Sequence, residues 1–315
     1  MHNNHIYQQR TPNAATAAQD IQAMLKLLLA RPQARQNDYP GRSDLLELWG
    51  LAETQANTRL WETTFGELVG FGIVTPSSGS LLFEVRYNDK DFNDYIQVSA
   101  AVLAWCAQQI RDAGGTSVHI TSLGDNQARL SLLAEHGFVR KPEEVYHFRR
   151  VLAGVNAPPI PASQFPTGFT VQHLMGEDDV EQAVTLHRAA YGTENMTVDY
   201  RLSMMRVPDY DPELDLIAVA PDGQWVAFCI ASIDDEENAQ TGEQIGWLGV
   251  VGTHPAFQGR GLARALMLTA MKKLKGRGME LAGLGTMSTN VAMRHSAESV
   301  GFEIAARTIR FYKEL

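Results

Sequence analysis

The chain has 315 residues, of which 44% are hydrophobic and 20% are charged, a composition typical of a globular protein with about two domains. Its formal net charge of −9 argues against a general surface for nucleic acids, and no apolar run approaches the ~20 residues of a membrane span. The first residues, MHNNHIYQQR, lack the apolar centre of a secretory signal, so a cytoplasmic protein is expected.

The first half of the chain predicts helices and strands that alternate and end in a strand. Helices precede a hairpin around ELVGFGIV (67–74), and a further strand leads to a long amphipathic helix, VSAAVLAWCAQQIRDAGG (98–115). A strand, a short helix that ends in Gly-Phe and a last strand, VYHFRRVL (145–152), complete this half. Cys106 and Cys229 are 123 residues apart within apolar segments, so buried thiols are expected rather than a disulfide or a zinc site.

A proline-rich stretch, GVNAPPIPASQFPTGF (154–169), separates the two halves. Each of its four prolines lacks a backbone donor and disfavours helix in the preceding residue, so the stretch is predicted to be extended. We therefore predict a first domain over residues 1–153, a linker over 154–167 and a second domain over 168–315.

The second half repeats the first at an offset of 164 residues. LGDNQARLSLLAEHGF (123–138) corresponds to MSTNVAMRHSAESVGF (287–302), within TMSTNVAMRHSAESVGF (286–302), with the Asn and the Gly-Phe pair in register. The same offset places the long helix of the first half over LARALMLTAMKKLKGRG (262–278), and GQWVAFCIASID (223–234) supplies a second hairpin. The shared order of elements predicts an α+β protein in which each half has a mixed, mostly antiparallel, twisted sheet flanked by helices.

The start of the second-half helix is unusual. QGRGLA (258–263) has no Ser, Thr, Asp or Asn to accept hydrogen bonds from the first helical amides, and it places Gly259 and Gly261 in the turn. Outward-facing amides at the positive end of a helix dipole suit an anion such as phosphate, although glycine can also serve as an ordinary helix cap. The offset places DYIQVS (94–99) at this point in the first half, with an acid and no glycine.

Two nucleotide-binding motifs do not fit this turn. The dinucleotide pattern G-x-G-x-x-G/A is broken by Arg264, and the pattern G-x-x-x-x-G-K-[ST] does not occur in the chain. The pattern Q/R-x-x-G-x-G/A is met by Gln258, Gly261 and Ala263, between a predicted strand (248–253) and the long helix.

In this pattern, and in the Asn and Gly-Phe pair that follow it, the chain resembles the GNAT superfamily of N-acetyltransferases. The resemblance covers residues 168–315 well and residues 40–150 as a degenerate copy without the turn, which implies two tandem GNAT-like domains. It also implies that the second half binds acetyl-CoA as acyl donor and uses no metal.

The resemblance gives roles to particular groups in the second half. Amides of the turn would hold the pyrophosphate, strand amides would face the pantetheine arm and the thioester, and the amide of Val251 would stabilise the oxyanion. Asn290 would contact the far end of the arm. The implied binding residues are Val251, Gly252, Thr253, Gln258, Gly259, Arg260, Gly261, Leu262, Ala263, Arg264 and Asn290.

The sequence departs from the family pattern in its acid and base. Many GNAT proteins carry a Tyr seven residues after the Asn, as the acid that protonates the thiolate, but this chain has Ala297 there. Three other residues are candidates for proton transfer: His295 in the same helix, Glu243 acting through water, and Tyr191.

The acceptor is predicted to be a small cationic molecule with a primary amine, attacked directly in a ternary complex. HRAAYGTENMTVDY (187–200) offers His187, Tyr191 and Tyr200 to an acceptor pocket, with core packing or exposure as the alternative for each. Residues 156–254 hold 3 basic and 16 acidic residues, which favours a cation. No nucleic-acid or membrane partner is expected, and the chain is predicted to be a monomer or homodimer.

A second hypothesis is a regulatory or interaction protein that binds acyl-CoA without turnover, because Ala297 cannot supply a proton. The first half, without its phosphate turn, is predicted to have a structural role, with binding of the acceptor as the alternative.

Overall fold

A computed structural model describes residues 7–30, 41–86 and 92–315. The chain forms two compact units, of which unit 1 comprises residues up to Glu144 together with Arg307–Leu315, and unit 2 comprises Val145–Ala306. This division differs from the one predicted at residues 153 and 168. The chain passes from unit 1 to unit 2 after Glu144 and returns to unit 1 after Ala306, and each of these points lies within a strand. Each unit therefore contains a short piece of the other half of the sequence.

Unit 1 has a sheet in the order β1-β2-β3-β4-β5-β12, antiparallel except for the parallel pair β4–β5. One apolar cluster packs α4 on this sheet, and another packs α1 and α2 on it. The described elements are β1 (Gln8–Arg10), α1 (Ala17–Leu29), α2 (Arg42–Trp49), α3 (Ala52–Ala56), β2 (Thr58–Glu62), β3 (Leu68–Thr75), β4 (Ser80–Val85), α4 (Phe92–Asp112), β5 (Ser117–Leu123), α5 (Gln127–Glu135) and parts of β6 (Val139–Val151) and β12 (Glu303–Glu314).

Unit 2 has a sheet in the order β6-β11-β10-β9-β8-β7, antiparallel except for the parallel pair β10–β11. Because side chains alternate along β8, Leu216 packs with α9 on one face, and Ile217 packs with α6 on the other. The predicted α+β architecture with helices flanking a mixed, mostly antiparallel sheet is confirmed. Its other elements are β7 (Thr170–His173), α6 (Val180–Tyr191), α7 (Val198–Met205), β8 (Asp215–Val219), β9 (Trp225–Ile233), α8 (Asp235–Thr241), β10 (Ile245–Thr253), α9 (Leu262–Gly276), β11 (Leu281–Met287) and α10 (Val291–Ser299).

The repeat is visible in the bounds of the elements. An offset of 164 residues carries β5 onto β11 and α5 onto α10 with no change at either end. The strands that close the two copies have nevertheless exchanged partners. The end of the first copy, Val145–Val151, pairs with β11 of the second, whereas Thr308–Glu314 pairs with β5 of the first.

The proline-rich stretch belongs to unit 2. Residues 154–167 contain no helix or strand, as the prolines predicted. Ile160 and Phe165 pack against the apolar cluster beneath α9, and Arg150 donates to the carbonyl of Pro159 at 3.0 Å. The stretch is therefore held along unit 2 by contacts of its own.

Three further features concern the described part of the chain as a whole. None of its helices is long and apolar enough to cross a membrane. Within the same ranges, no group of three or more His, Cys, Asp or Glu side chains is arranged to hold a metal ion. Cys106 and Cys229 are both buried free thiols, and burial raises the pKa of Cys106 to about 12.

Candidate functional site

The parallel strands β10 and β11 separate part of the way along their length. Of their described residues, only Ile245–Trp247 and Leu281–Gly283 pair with each other. Beyond this point the register of β10 against β9 shifts at the exposed Gly249, and β11 continues to pair with β6. The two strands thereby leave an opening between Val250–Thr253 and Leu284–Met287, which we call the gap.

Backbone polar groups of β10 face this gap. The amide of His254 donates to the carbonyl of Val226 at 2.8 Å, which marks Thr253 and Ala227 as a non-hydrogen-bonded pair. By the alternation of an antiparallel ladder, the N–H and C=O of Val251 and Thr253 then point away from β9. Side chains from outside the sheet contact two of these carbonyls: the hydroxyl of Tyr191 donates to Val251 at 3.1 Å, and Nε2 of Gln258 donates to Thr253 at 3.3 Å.

The QGRG turn connects the end of β10 to α9 through a short 3-10 helix, Pro255–Phe257. Gly259 and Gly261 have φ angles of +74° and +78°, in the left-handed region that favours glycine. A Cβ atom at either position would meet nothing within 4 Å, so backbone conformation rather than packing requires glycine. The turn is exposed from Gln258 to Gly261.

The first amides of α9 have no partner of their own. Gly261 at the start of the helix makes no side-chain cap, and the first backbone bond runs from Ala265 to the Gly261 carbonyl at 3.0 Å. No described group accepts a hydrogen bond from the amides of residues 259–264. The start of α9 therefore lacks a cap in the structure, as the sequence predicted, and it carries the positive end of the helix dipole.

Two arginines add positive charge to this turn. The guanidinium of Arg260 lies 5.0 Å from the ring centroid of Phe257 and donates to the Ala256 carbonyl at 3.4 Å. Arg264 is half-buried in the first turn of α9. The turn thus combines uncapped amides with two cationic side chains, an arrangement suited to a polyanion.

Asn290 has a local structural role that the sequence reasoning did not assign to it. Its Oδ1 accepts from the amide of Met293 at 3.1 Å and caps α10, as Asn126 caps α5 by accepting from Arg129 at 3.1 Å. The repeated Asn is therefore explained by helix capping in both copies. Its side-chain NH2 group, at Nδ2, can still donate a hydrogen bond to a ligand.

The structure brings one of the three proton-transfer candidates to the gap. Tyr191 is the last residue of α6, and its hydroxyl lies on the Val251 carbonyl. Glu243 precedes β10 and forms an ion pair with Arg149 at 3.1 Å. Eight residues of extended chain place it about 25 Å from Val251. His295 is exposed on α10, two residues before the fully buried Ala297.

His187 and Phe228 accompany Tyr191 at this position. The ring of His187 stacks on Tyr191 with centroids 4.7 Å apart and on Phe228 with centroids 5.4 Å apart. A Cβ atom on Gly252 would lie 2.6 Å from the Phe228 ring, so this aromatic cluster rests directly against β10. Tyr200, in contrast, packs against apolar residues between α6 and α7. The spacing of His187 and Tyr191 by one helical turn could have indicated a shared face.

The negative charge of residues 156–254 is partly neutralised by ion pairs within unit 2. The three basic residues of this segment all form ion pairs: Arg188 with Glu194, Arg201 with Asp215, and Arg206 with Glu177. Arg277, which follows the last residue of α9, also pairs with Asp211 and Glu213, at 2.7 and 2.8 Å. Part of the segregation of charge along the sequence therefore reflects contacts inside unit 2 rather than a ligand.

Comparison with known proteins finds similarity to one family over part of the chain. Residues 180–302 match the family model of the Acetyltransferase (GNAT) family. Curated relatives named mycothiol acetyltransferase are 29% identical over 203 residues in Kineococcus radiotolerans and 28% identical over 243 residues in Thermobispora bispora. These matches cover 63% and 75% of this chain, and 63% and 77% of the relatives. A third relative of the same name, from Nocardioides sp., is 31% identical over 179 residues, and this chain covers 59% of its length. The chain therefore spans less than two thirds of the length of two of these three relatives.

Solved structures agree in fold over the whole chain. A GCN5-related N-acetyltransferase from Sphaerobacter thermophilus has a TM-score of 0.64 at 21% identity, covering 98% of this chain and 95% of that protein. A tandem GNAT protein from the clavulanic acid biosynthesis pathway has a TM-score of 0.66 at 15% identity, with 98% of each chain covered. The predicted likeness to tandem GNAT proteins is confirmed.

Proposed function

We propose that the chain moves an acetyl group from acetyl-CoA to a primary amine, using the part of it, residues 180–302, that matches the Acetyltransferase (GNAT) family model. The observation that carries the proposal is the set of unpartnered amides from Gly259 to Arg264, which continues from a strand whose Val251 and Thr253 polar groups face an open gap. A diphosphate fits the first feature and an extended pantetheine arm fits the second.

The residues of the turn and strand divide the binding of the donor between them. Amides of the turn and the guanidinium groups of Arg260 and Arg264 hold the diphosphate by charge-assisted hydrogen bonds. Gly252 and Thr253 line the arm, and Nδ2 of Asn290 reaches its far end. Acetyl-CoA supplies an activated thioester, so the protein needs no covalent intermediate of its own.

Val251 and Tyr191 are the groups nearest to the chemistry. The Val251 amide donates to the oxygen that gains negative charge when the amine attacks. Tyr191 takes the role of the acid that many GNAT proteins have at the position of Ala297. Although the side chain is 46% exposed, burial around its hydroxyl raises the pKa of Tyr191, so the phenol stays protonated at neutral pH and can donate to the departing thiolate.

The acceptor is a small cation with a primary amine. The acidic residues of unit 2 outnumber the arginines with which they pair, which favours a positively charged molecule near the gap. A mycothiol-related amine belongs among the first compounds to test, because the curated relatives carry mycothiol in their name.

Calorimetric titration with acetyl-CoA tests the donor site. In Gly261→Glu a carboxylate enters the turn and a left-handed backbone position is strained, so we expect affinity to fall by roughly 100-fold or more. Gly276→Glu is the matched control, since it adds the same charge at the exposed far end of α9, where a Cβ meets nothing within 4 Å. Equal affinities for wild type and Gly261→Glu would refute the proposed donor site.

A non-catalytic acyl-CoA-binding protein is the second candidate, favoured by the fully buried Ala297 at the position of the usual acid. Release of the coenzyme A thiol across a panel of amines, amino sugars, peptides and aminoglycosides separates the two. Binding of acetyl-CoA without turnover for every acceptor would establish the regulator.

A further inference from the structure

His187 lies one aromatic ring away from the gap. It precedes Tyr191 by one turn of α6, and the two rings stack at 4.7 Å, while the hydroxyl of Tyr191 donates to the Val251 carbonyl at 3.1 Å. The second neighbour of the imidazole is the ring of Phe228 on β9, which stacks with His187 and lies against β10 at Gly252. The imidazole is thus held by two rings at the end of the gap where Val251 lies.

The nitrogens of this imidazole are available. His187 is only half-buried, and neither ring nitrogen makes a hydrogen bond to any described residue. The other histidine proposed from the sequence, His295, is exposed on α10, and Glu243 is committed to Arg149 at the far end of β10. Of the four described candidates for proton transfer, Tyr191, His187, Glu243 and His295, the first two are held at this end of the gap.

Burial and a neighbouring cation both lower the pKa of His187. His187 and Arg201 line a small cavity of about 10 Å³ together with Asp215. Arg201 pairs with Asp215 through Nη2. Its buried Nη1 has no hydrogen-bond partner, so Asp215 is bound by only one of the two terminal nitrogens of the guanidinium. Burial first, and then the charge of Arg201, lower the pKa of His187, and Tyr191 on the same helix is neutral. The imidazole is therefore a free base at neutral pH.

We propose that His187 is the general base of the transfer and takes the proton that the acceptor ammonium must lose before it attacks. This inference rests on the function proposed above. It adds a residue of α6 to the machinery and explains how a strand without a carboxylate at its centre still activates an amine.

The proton and electron balance is simple. One N–H bond of the acceptor ammonium breaks, and its proton goes to a ring nitrogen of His187 and from there to water. The nitrogen lone pair forms the C–N bond at the thioester carbonyl, and the C–S bond breaks with its electron pair on sulfur. As the amide forms, the second proton passes from the nitrogen to water. Tyr191 protonates the thiolate, and water returns one proton to the phenolate. The products are the N-acetylated acceptor, the free thiol and one proton released to solvent.

The test is the pH dependence of kcat/KM between pH 6 and 9 in wild type and two variants, with an acceptor amine of pKa about 9. His187→Gln removes the base, and His187→Phe removes it while preserving a ring that stacks on Tyr191 and Phe228. For wild type we expect a rate that rises below neutral pH and then levels off. For both variants we expect a deficit of about 100-fold at pH 7 that shrinks about tenfold per pH unit, as the free amine becomes abundant in solution. In a third variant, His187→Ala, free imidazole should restore kcat/KM at pH 7.

Controls separate this inference from the proposed function. Gln182→Ala changes an exposed residue of the same helix and should follow wild type at every pH, and acetyl-CoA titration should give similar affinities for all folded variants. An active wild type whose His187→Phe variant is equally active, or is reduced by the same factor at every pH, overturns the role of His187 alone. A wild type that transfers acetyl to no amine overturns both proposals.

Discussion

At the scale of single residues, the most demanding interaction near the site is the buried ion pair of Arg201 and Asp215. Each side chain is 3% exposed, and the hydroxyl of Tyr210 also donates to Asp215 at 2.8 Å. Burial and the neighbouring carboxylate raise the pKa of Tyr210, so its hydroxyl stays protonated and continues to donate. The pair joins α7 to β8 beneath the imidazole of His187, so it supports the geometry on which the proposed base depends.

Removal of one partner of this pair should strongly destabilise unit 2. In Arg201→Met the carboxylate of Asp215 remains buried without its cation, and we expect a loss of about 3–5 kcal/mol in the free energy of unfolding, measured with urea. Arg206→Met is the matched control, because Arg206 forms an exposed pair with Glu177 and its loss should cost no more than about 1 kcal/mol. Comparable losses in the two variants would contradict the interpretation.

At the scale of secondary structure, the two long helices show how one copy kept the turn and the other lost it. At the offset of 164 residues, α4 begins six positions earlier than α9, and the stretch that corresponds to QGRGLA is helical. From Ile96 onward the amides of α4 lie within the helix, where they donate to its own carbonyls. The first copy therefore presents few of the free amides that the second presents.

Hydrogen exchange should report this difference directly. We expect saturating acetyl-CoA to slow exchange of the amides of residues 259–264, because a diphosphate would accept their hydrogen bonds. The amides of residues 95–100, which correspond to them in the first copy, should exchange at the same rate with and without ligand. Ligand-dependent protection of the first-copy segment would contradict the assignment of a single donor site.

At the scale of the whole molecule, the last strand of the sequence serves the first unit. Phe311 packs in the apolar cluster of unit 1, whereas Phe302, nine residues earlier, packs in that of unit 2. A domain division read from the sequence at residue 168 would assign both side chains to the second half. The exchange of the closing strands assigns them to different cores.

Two alanine variants distinguish these assignments. Phe311→Ala should destabilise unit 1 by about 3–5 kcal/mol and speed exchange of the β5 amides, whereas Phe302→Ala should have a similar effect on the amides of β8 and β9. The measurement is native-state hydrogen exchange resolved by peptide. Faster exchange in unit 2 from Phe311→Ala, with β5 unaffected, would show that the last strand belongs to the second half after all.

The order of elements, their repeat and the turn could be predicted because each has a local cause. Periodicity marks α9, prolines mark the irregular stretch after β6, and paired glycines mark a turn whose φ angles only glycine adopts readily. Asn126 and Asn290 were in register because both cap helices. These features depend on residues within one or two turns of each other.

The sequence by itself thus determined the fold class, the tandem copies and the bare helix start at Gly261. Tertiary structure alone decided that the closing strands exchange partners, that β10 and β11 part beyond Trp247, that Glu243 lies far from the gap and that His187 lies beside it. The physical reason is that strand partners and side-chain neighbours are set by contacts between segments distant in the chain, and no local pattern encodes which segments will meet.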